Sequence, residues 1–449
     1  MTANDPDHAG PTTEFGRSHI QAVPADPSPT RRLLMLSGPA LLIGIASALG
    51  LIVLDLIAEA LENLLWDGLP ALIGFDQYAP WWILVVLTLA GFATGLIVRF
   101  APGHAGPDPA TESFFPPAVP LITLPGLALA AIITLATGVS LGPEAPIITL
   151  NVALAVWVCK KVIPAVPTKL IILMVVTGTF GALFGSPLGA ALLATSVAAA
   201  TASKALLWDR LFLPLVSAAS GSLVMMVFSG HTMSLTLPEY TPAVFADLGV
   251  ALAVAAVAMG AGLCLLLLFP HVHRLFHRWR GPVIPLTVAG VLLGALGALG
   301  GEVTLFKGVD QMAQLAAAAD DVEAWQVAMI VVIKLAALLI AGAAGFRGGR
   351  VFPTVFIGVA VGVLAYAIFP SISLTVALGA GVLGICLVVV RDGWLSLFIA
   401  AVVVGDATLL PILCMVVLPC WLAVARLPQM QITEPGAVAH DTDSKQAAQ

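Results

Sequence analysis

A chain of 449 residues that is 59% hydrophobic and only 10% charged, with a mean hydropathy of +1.04, is not a soluble globular protein, which carries about 25% charged residues. It reads as an all-α, polytopic membrane protein. The net charge of −6 comes partly from an acidic N-terminal tail, and no basic face with interleaved aromatics is present, so no nucleic-acid partner is expected.

Residues 1–30 are polar, lack a hydrophobic core segment and read as a disordered cytoplasmic tail rather than a signal peptide. Apolar segments then follow near 33–61, 81–100, 118–141, 147–159, 170–184, 187–200, 211–229, 243–270, 282–300, 325–344, 354–369, 373–390, 394–404 and 407–425. A span needs about 20 residues, and several of these segments are shorter or broken by Gly and Pro. The 42 glycines and 32 prolines favour tilted and re-entrant helices over a row of hairpins. Residues 429–449 are again polar and are expected to form a disordered cytoplasmic tail. Five cysteines, at 159, 264, 386, 414 and 420, lie within or beside apolar runs without a CxxC or Cys/His cluster. No redox role, metal or other cofactor is therefore expected.

Arg31 and Arg32 precede the first helix, and a basic stretch from His271 to Arg280 follows the 243–270 helix. The positive-inside rule places both in the cytoplasm, and the loop 63–80, with Asp67 and Asp76 but no Lys or Arg, outside. The first long helix thus runs outward and the 243–270 helix inward. That opposition points to two inverted repeats, drawn here as 31–230 and 231–428.

The segment Gly138-Val-Ser-Leu-Gly142-Pro143-Glu144-Ala145-Pro146 puts a carboxylate between apolar runs. A charge at membrane depth costs about 2.5 to 3.5 kcal/mol on insertion scales and reads as functional. The glycines and prolines around it break the helix, and broken helices expose N–H groups that hold anions. Its pattern Gly-x3-Gly-x3-Pro recurs at Gly345, Gly349 and Pro353, an offset of 207 residues. The same offset lays Gly185-Ser186-Pro187-Leu188 on Asp392-Gly393-Trp394-Leu395.

These residues resemble the CLC chloride channel and transporter family. Gly142-Pro143-Glu144-Ala145-Pro146 is similar to the family's G-[KR]-E-G-P loop, and Gly348-Gly349-Arg350-Val351-Phe352-Pro353 to its G-x-F-x-P loop, which follows a Gly-Gly-rich break. Gly185-Ser186-Pro187-Leu188-Gly189-Ala190 resembles its N-[AS]-P segment. The resemblance covers about residues 33–426. It is strongest to a divergent bacterial branch, the YfeO-like ion-transport proteins, through His104–Pro109, Gly345–Arg350 and Arg391–Phe398.

The resemblance implies an inverted-repeat fold, a homodimer in the bacterial inner membrane and one anion pathway per subunit, with lipid around it. It makes Glu144 the gate, and implies backbone anion contacts at Gly106, Pro107, Gly142, Ala145, Gly349, Arg350, Val351 and Phe352. Arg347 and Lys334 are candidate sources of positive potential. The expected cargo is chloride or another halide, with proton-coupled export of fluoride or another anion as the alternative.

Departures from the family pattern are equally specific. Ala105-Gly106-Pro107-Asp108-Pro109 stands where the family has GSGIP and carries no hydroxyl. The only tyrosines are Tyr78, Tyr240 and Tyr366, none placed like the family's inner-site tyrosine. Val197 stands where CLC exchangers carry a proton-relay glutamate. Pro143 removes one N–H from the loop. The match of Gly138-Val-Ser140-Leu-Gly142 to G-x-S-x-G leaves a remote reading as an intramembrane serine hydrolase. That reading needs a histidine at the same depth. The eight histidines, at 8, 19, 104, 231, 271, 273, 277 and 440, fall in expected tails and loops, so no enzyme activity is expected.

Overall fold

The computed structural model describes residues 27–111, 113–199, 205–228, 233–237, 240 and 244–432. Most of the expected tails, 1–26 and 433–449, lie outside the described residues, as does His231. The first half contains α1 (Pro27–Asn63), α2 (Leu69–Ile73), α3 (Pro80–Phe100), α4 (Leu124–Ala136), α5 (Glu144–Val162), α6 (Thr168–Phe184), α7 (Pro187–Ala199) and α8 (Leu207–Phe228). The second contains α9 (Val244–Phe276), α10 (Val283–Gly300), α11 (Val309–Ala317), α12 (Ala324–Ala344), α13 (Val351–Ile368), α14 (Leu374–Val389), α15 (Gly393–Val404) and α16 (Leu410–Val424). No named strand occurs among the described residues.

Among the described residues, nine helices are long and apolar enough to cross a membrane. The helices α6, α7, α14 and α15 are shorter than a span. Most residues of α6, α14 and α15 are buried in protein, where a helix too short to span is tolerated. All sixteen residues of α14 except Leu374 are buried, which suits a helix apolar on every side.

Two pairs of helix starts correspond across the halves. Helices α5 and α13 begin at Glu144 and Val351, 207 residues apart. Further along, α7 begins at Pro187 and α15 at Gly393, one residue closer than the sequence register placed them. The slip aligns Gly185, at φ +62°, with Arg391, at φ +59°. Each takes the left-handed turn that ends the preceding helix, so an arginine does here what glycine does in the first half.

Small residues set the helix spacing. A Cβ on Gly381 of α14 would lie 2.2 Å from the Gly358 carbonyl oxygen of α13, and one on Gly91 of α3 would lie 2.2 Å from that of Leu286 in α10. The backbones touch at these points, and dispersion between them replaces the hydrophobic drive that lipid cannot supply.

Two boundaries differ from the sequence expectation. Helix α9 continues through Pro270 to Phe276, so His271 and His273 are helical rather than in a loop. Its terminal His273 and Arg274 suit the negative end of the helix dipole. The chain also stays packed past 428: Met430 is buried, and the Ile432 N–H donates to the Ala110 carbonyl at 2.8 Å.

Candidate anion site

Two glycines make the helix breaks. Gly138 at φ +87° ends α4's turn, and Gly345 at φ +94° ends α12. Only a residue without a Cβ adopts this conformation at no cost. The chain then runs extended for a few residues and enters α5 at Glu144 and α13 at Val351. Pro143 sits just ahead of α5, where its fixed φ is tolerated and its missing N–H would have had no helical partner. The Trp66 indole donates to the Ala136 carbonyl at 3.0 Å, and the Phe306 N–H to that of Gly138 at 3.0 Å, pinning the first break.

The two breaks pair with each other. The Gly142 N–H donates to the Gly349 carbonyl at 2.8 Å and the Gly349 N–H to the Gly142 carbonyl at 2.7 Å, an antiparallel bridge. This corrects one expectation. The amides of Gly142 and Gly349, assigned by resemblance to the anion, are engaged with one another.

Glu144 is 2% exposed. Its Oε1 accepts from the Val351 N–H at 2.5 Å, and the amides of Phe352 and of Glu144 itself also act on the carboxylate. Oε2 has no hydrogen-bond partner among the described residues. The first turn of α13 therefore presents its free N–H groups and positive dipole end to a tethered carboxylate. There is no room for anything larger in the bridge: a Cβ on Gly349 would lie 2.1 Å from the Glu144 carboxyl carbon.

A cavity of about 50 Å3 adjoins the carboxylate. Of the expected contacts, Glu144, Ala145, Gly349, Arg350 and Val351 line it. Gly106, Pro107, Gly142 and Phe352 are not among its lining residues. The loop before α4 contributes Pro109, Ser113 and Phe114 instead. Ser113, whose Oγ accepts from the Phe115 N–H at 3.0 Å, was missed by the motif comparison because it lies beyond the segment aligned with GSGIP. Met430 was missed too, in a stretch whose polar composition read as tail. The Phe352 ring stacks on Phe184, centroids 6.1 Å apart.

The cations have protein partners. Arg347 is buried and donates to the carbonyls of Ala105 at 2.8 Å, His104 at 2.8 Å, and Gly106 and Gly345 at 3.1 Å. It fixes the loop where Gly106 takes φ +84°. The Arg350 guanidinium donates to the Met430 carbonyl. Lys334 is fully buried, and its Nζ donates to the carbonyls of Thr304, Leu305 and Phe306 at 3.1, 2.8 and 2.9 Å. Three donors meet three acceptors, and the ammonium also lies 4.7 Å from the Phe356 ring centroid. Asp392 and Asp406 accept from backbone N–H groups of Leu395 and Thr408 as caps.

Ser140 is buried and its hydroxyl has no hydrogen-bond partner among the described residues. Among the described residues no base is hydrogen-bonded to it, as an activated serine nucleophile would require. Tyr240 donates to Asp247 and Tyr366 to Asp320, at 2.5 and 2.7 Å, and neither lines the cavity.

A second polar cluster joins the halves away from Glu144. His273 Nε2 and His277 Nε2 lie 3.0 and 3.1 Å from the same Asp108 oxygen. Burial disfavours ionised Asp108, but hydrogen bonds from His273, His277 and the Ala110 N–H outweigh it and hold the carboxyl below its usual range. The Asp108 carboxylate raises the His277 imidazole pKa, against partial burial and the Arg347 charge.

A family model described as voltage gated chloride channel matches residues 89–424. "Putative ion-transport protein YfeO" of Escherichia coli strain 55989 is 47% identical over 408 residues, covering 90% of this chain and 96% of that protein. The protein of the same name from strain K12 matches to the same extent. Among solved structures, a CLC-type fluoride/proton antiporter superposes with a TM-score of 0.71 at 17% identity, over 89% of this chain and 97% of that one. A slow cyanobacterial Cl−/H+ antiporter gives 0.69 at 18% identity, over 89% and 96%.

Proposed function

The chain belongs to the voltage gated chloride channel family, and from that premise we propose that each subunit conducts an inorganic anion past a single pH-dependent gate, Glu144. The carrying observation is the half-satisfied carboxylate. One oxygen occupies the Val351 N–H at the start of α13, while the other is buried without a partner beside the cavity. An ionised carboxylate there is an anion on a tether. A transported anion has to displace it, and a charge-assisted hydrogen bond of about 1.5–3 kcal/mol sets the scale of that competition. Protonation removes the charge that holds the side chain, so it leaves and the N–H groups become available. The cargo is chloride or another halide, read at the cavity by backbone dipoles, with Arg350 and Ser113 also on its lining.

Coupling to protons by a second glutamate is disfavoured because Val197, in α7, offers no carboxylate. Homodimerisation, an inner-membrane location and cytoplasmic termini complete the proposal. They are supported by the family relationship and by the basic ends of α1 and α9.

The test is anion efflux from proteoliposomes loaded with chloride, fluoride or nitrate, with internal pH recorded. Native protein is expected to pass anions faster at acid pH, and Glu144→Gln to be fast and pH-independent. Equal, anion-indifferent leakage in both proteins removes the gate. Stoichiometric proton countermovement in the native protein replaces the channel reading with an antiporter.

A further inference from the structure

The cluster of Asp108, His273 and His277 has no part in the Glu144 gate. Two of its members sit one helical turn apart at the end of α9, and the third comes from the loop between α3 and α4. One ligand atom from each lies within 4.8 Å of the others. The two Nε2–Oδ2 edges, 3.0 and 3.1 Å, approach the roughly 3.3 Å edge of a tetrahedron drawn around a zinc ion with bonds near 2.0–2.1 Å.

The hydrogen bonding around His277 sharpens the point. Its Nδ1 lies 2.9 Å from the His273 carbonyl, which accepts and does not donate. Nδ1 therefore carries the proton of a neutral ring, and Nε2 meets the Asp108 oxygen lone pair to lone pair. Something positive must stand between them, a proton or a metal ion. A backbone carbonyl holding the far nitrogen is also the usual outer partner of a metal-bound imidazole. Beside the cluster opens a cavity of about 310 Å3, lined by Asp108, His277, His104 and Arg347 among others. It gives solvent access and leaves room for water as a further ligand.

We propose that Asp108, His273 and His277 form a binding site for a divalent first-row transition ion of the zinc class, which ties the α9 end to the loop before α4. Two imidazoles and a carboxylate without thiolate suit Zn2+ or Co2+ and disfavour the all-oxygen preferences of Ca2+ and Mg2+. The His273 and His277 rings stack with centroids 3.8 Å apart. Binding turns them out of parallel about their terminal torsions, which are soft. Arg347, held by four carbonyls, opposes a proton and a metal ion alike, so it does not choose between them.

The test uses full-length protein in detergent, purified with a histidine-free tag, stripped with chelator and titrated with Co2+ and then Zn2+. One Co2+ per chain with the visible ligand-field band of a low-coordinate nitrogen–oxygen site, bleached by Zn2+, is expected. His277→Ala and Asp108→Asn lose the band, and His271→Ala, which removes a neighbouring imidazole outside the cluster, keeps it. Absence of the band from folded native protein, or its persistence in both cluster variants, overturns the site. In the first case the proton is the bridging charge.

Discussion

Gly349 is where the proposed gate is most exposed to substitution. A methyl group there occupies the space of the Glu144 carboxyl, since the ideal Cβ falls 2.1 Å from its carbon. Gly349→Ala is therefore expected to expel the side chain as protonation does, giving anion efflux at neutral pH close to that of native protein at acid pH; efflux still pH-dependent over the native range counts against this. Lys334 answers a different question. It was a candidate source of potential for the pathway, and it closes three backbone acceptors of the 304–306 turn. Buried acceptors left open cost about 1–3 kcal/mol each. Lys334→Met is thus expected to lower thermal stability in detergent by at least about 3 kcal/mol, while the pH dependence set by Glu144 persists in the folded fraction. That Glu144 is the residue to propose as the gate was legible in the sequence, because a lone carboxylate among helix breakers is rare at membrane depth. Its partners were only half legible. Which amides of a glycine loop face a site depends on what the others bond to, and the mutual pairing of Gly142 and Gly349 involves residues 207 apart.

At the scale of elements, α13 matters most, because its N-terminus holds the Glu144 carboxylate of the proposed gate and its body lies against α14. Gly381→Ala puts a methyl 2.2 Å from the Gly358 carbonyl oxygen. Overpacking of this kind costs about 1–3 kcal/mol, and relief by sliding α13 moves the Val351 N–H. The variant is expected to lose thermal stability and flux together, measured on the same preparation; unchanged flux shows that the contact can relax without moving the gate. The apolar segments read from composition match these helices closely. The α9 end did not, because Pro270 and the basic residues after it look like a stop signal. In the structure, Pro270 is carried within a helix that continues for six more residues.

For the whole molecule, the inverted repeat means that neither half owns the site. Glu144 comes from one and the Val351 N–H from the other. Fragments 1–230 and 231–449 expressed separately are expected to give no anion flux, and co-expressed to restore part of it; flux from either alone contradicts a shared site. The inverted plan was legible from the recurring glycine pattern and the opposed basic ends, whereas the one-residue slip at Arg391 was not, since nothing in its neighbours marks an arginine for φ +59°. The glycine bridge also has a meaning in time. Chains are synthesised at about 5–20 residues per second, so 207 residues separate the two loops by roughly 10 to 40 s. Through that interval the first half is in the bilayer with a carboxylate and two backbone groups awaiting partners that do not yet exist. A ribosome stalled between the repeats would leave a half-built pore, and quality control has that interval in which to recognise it.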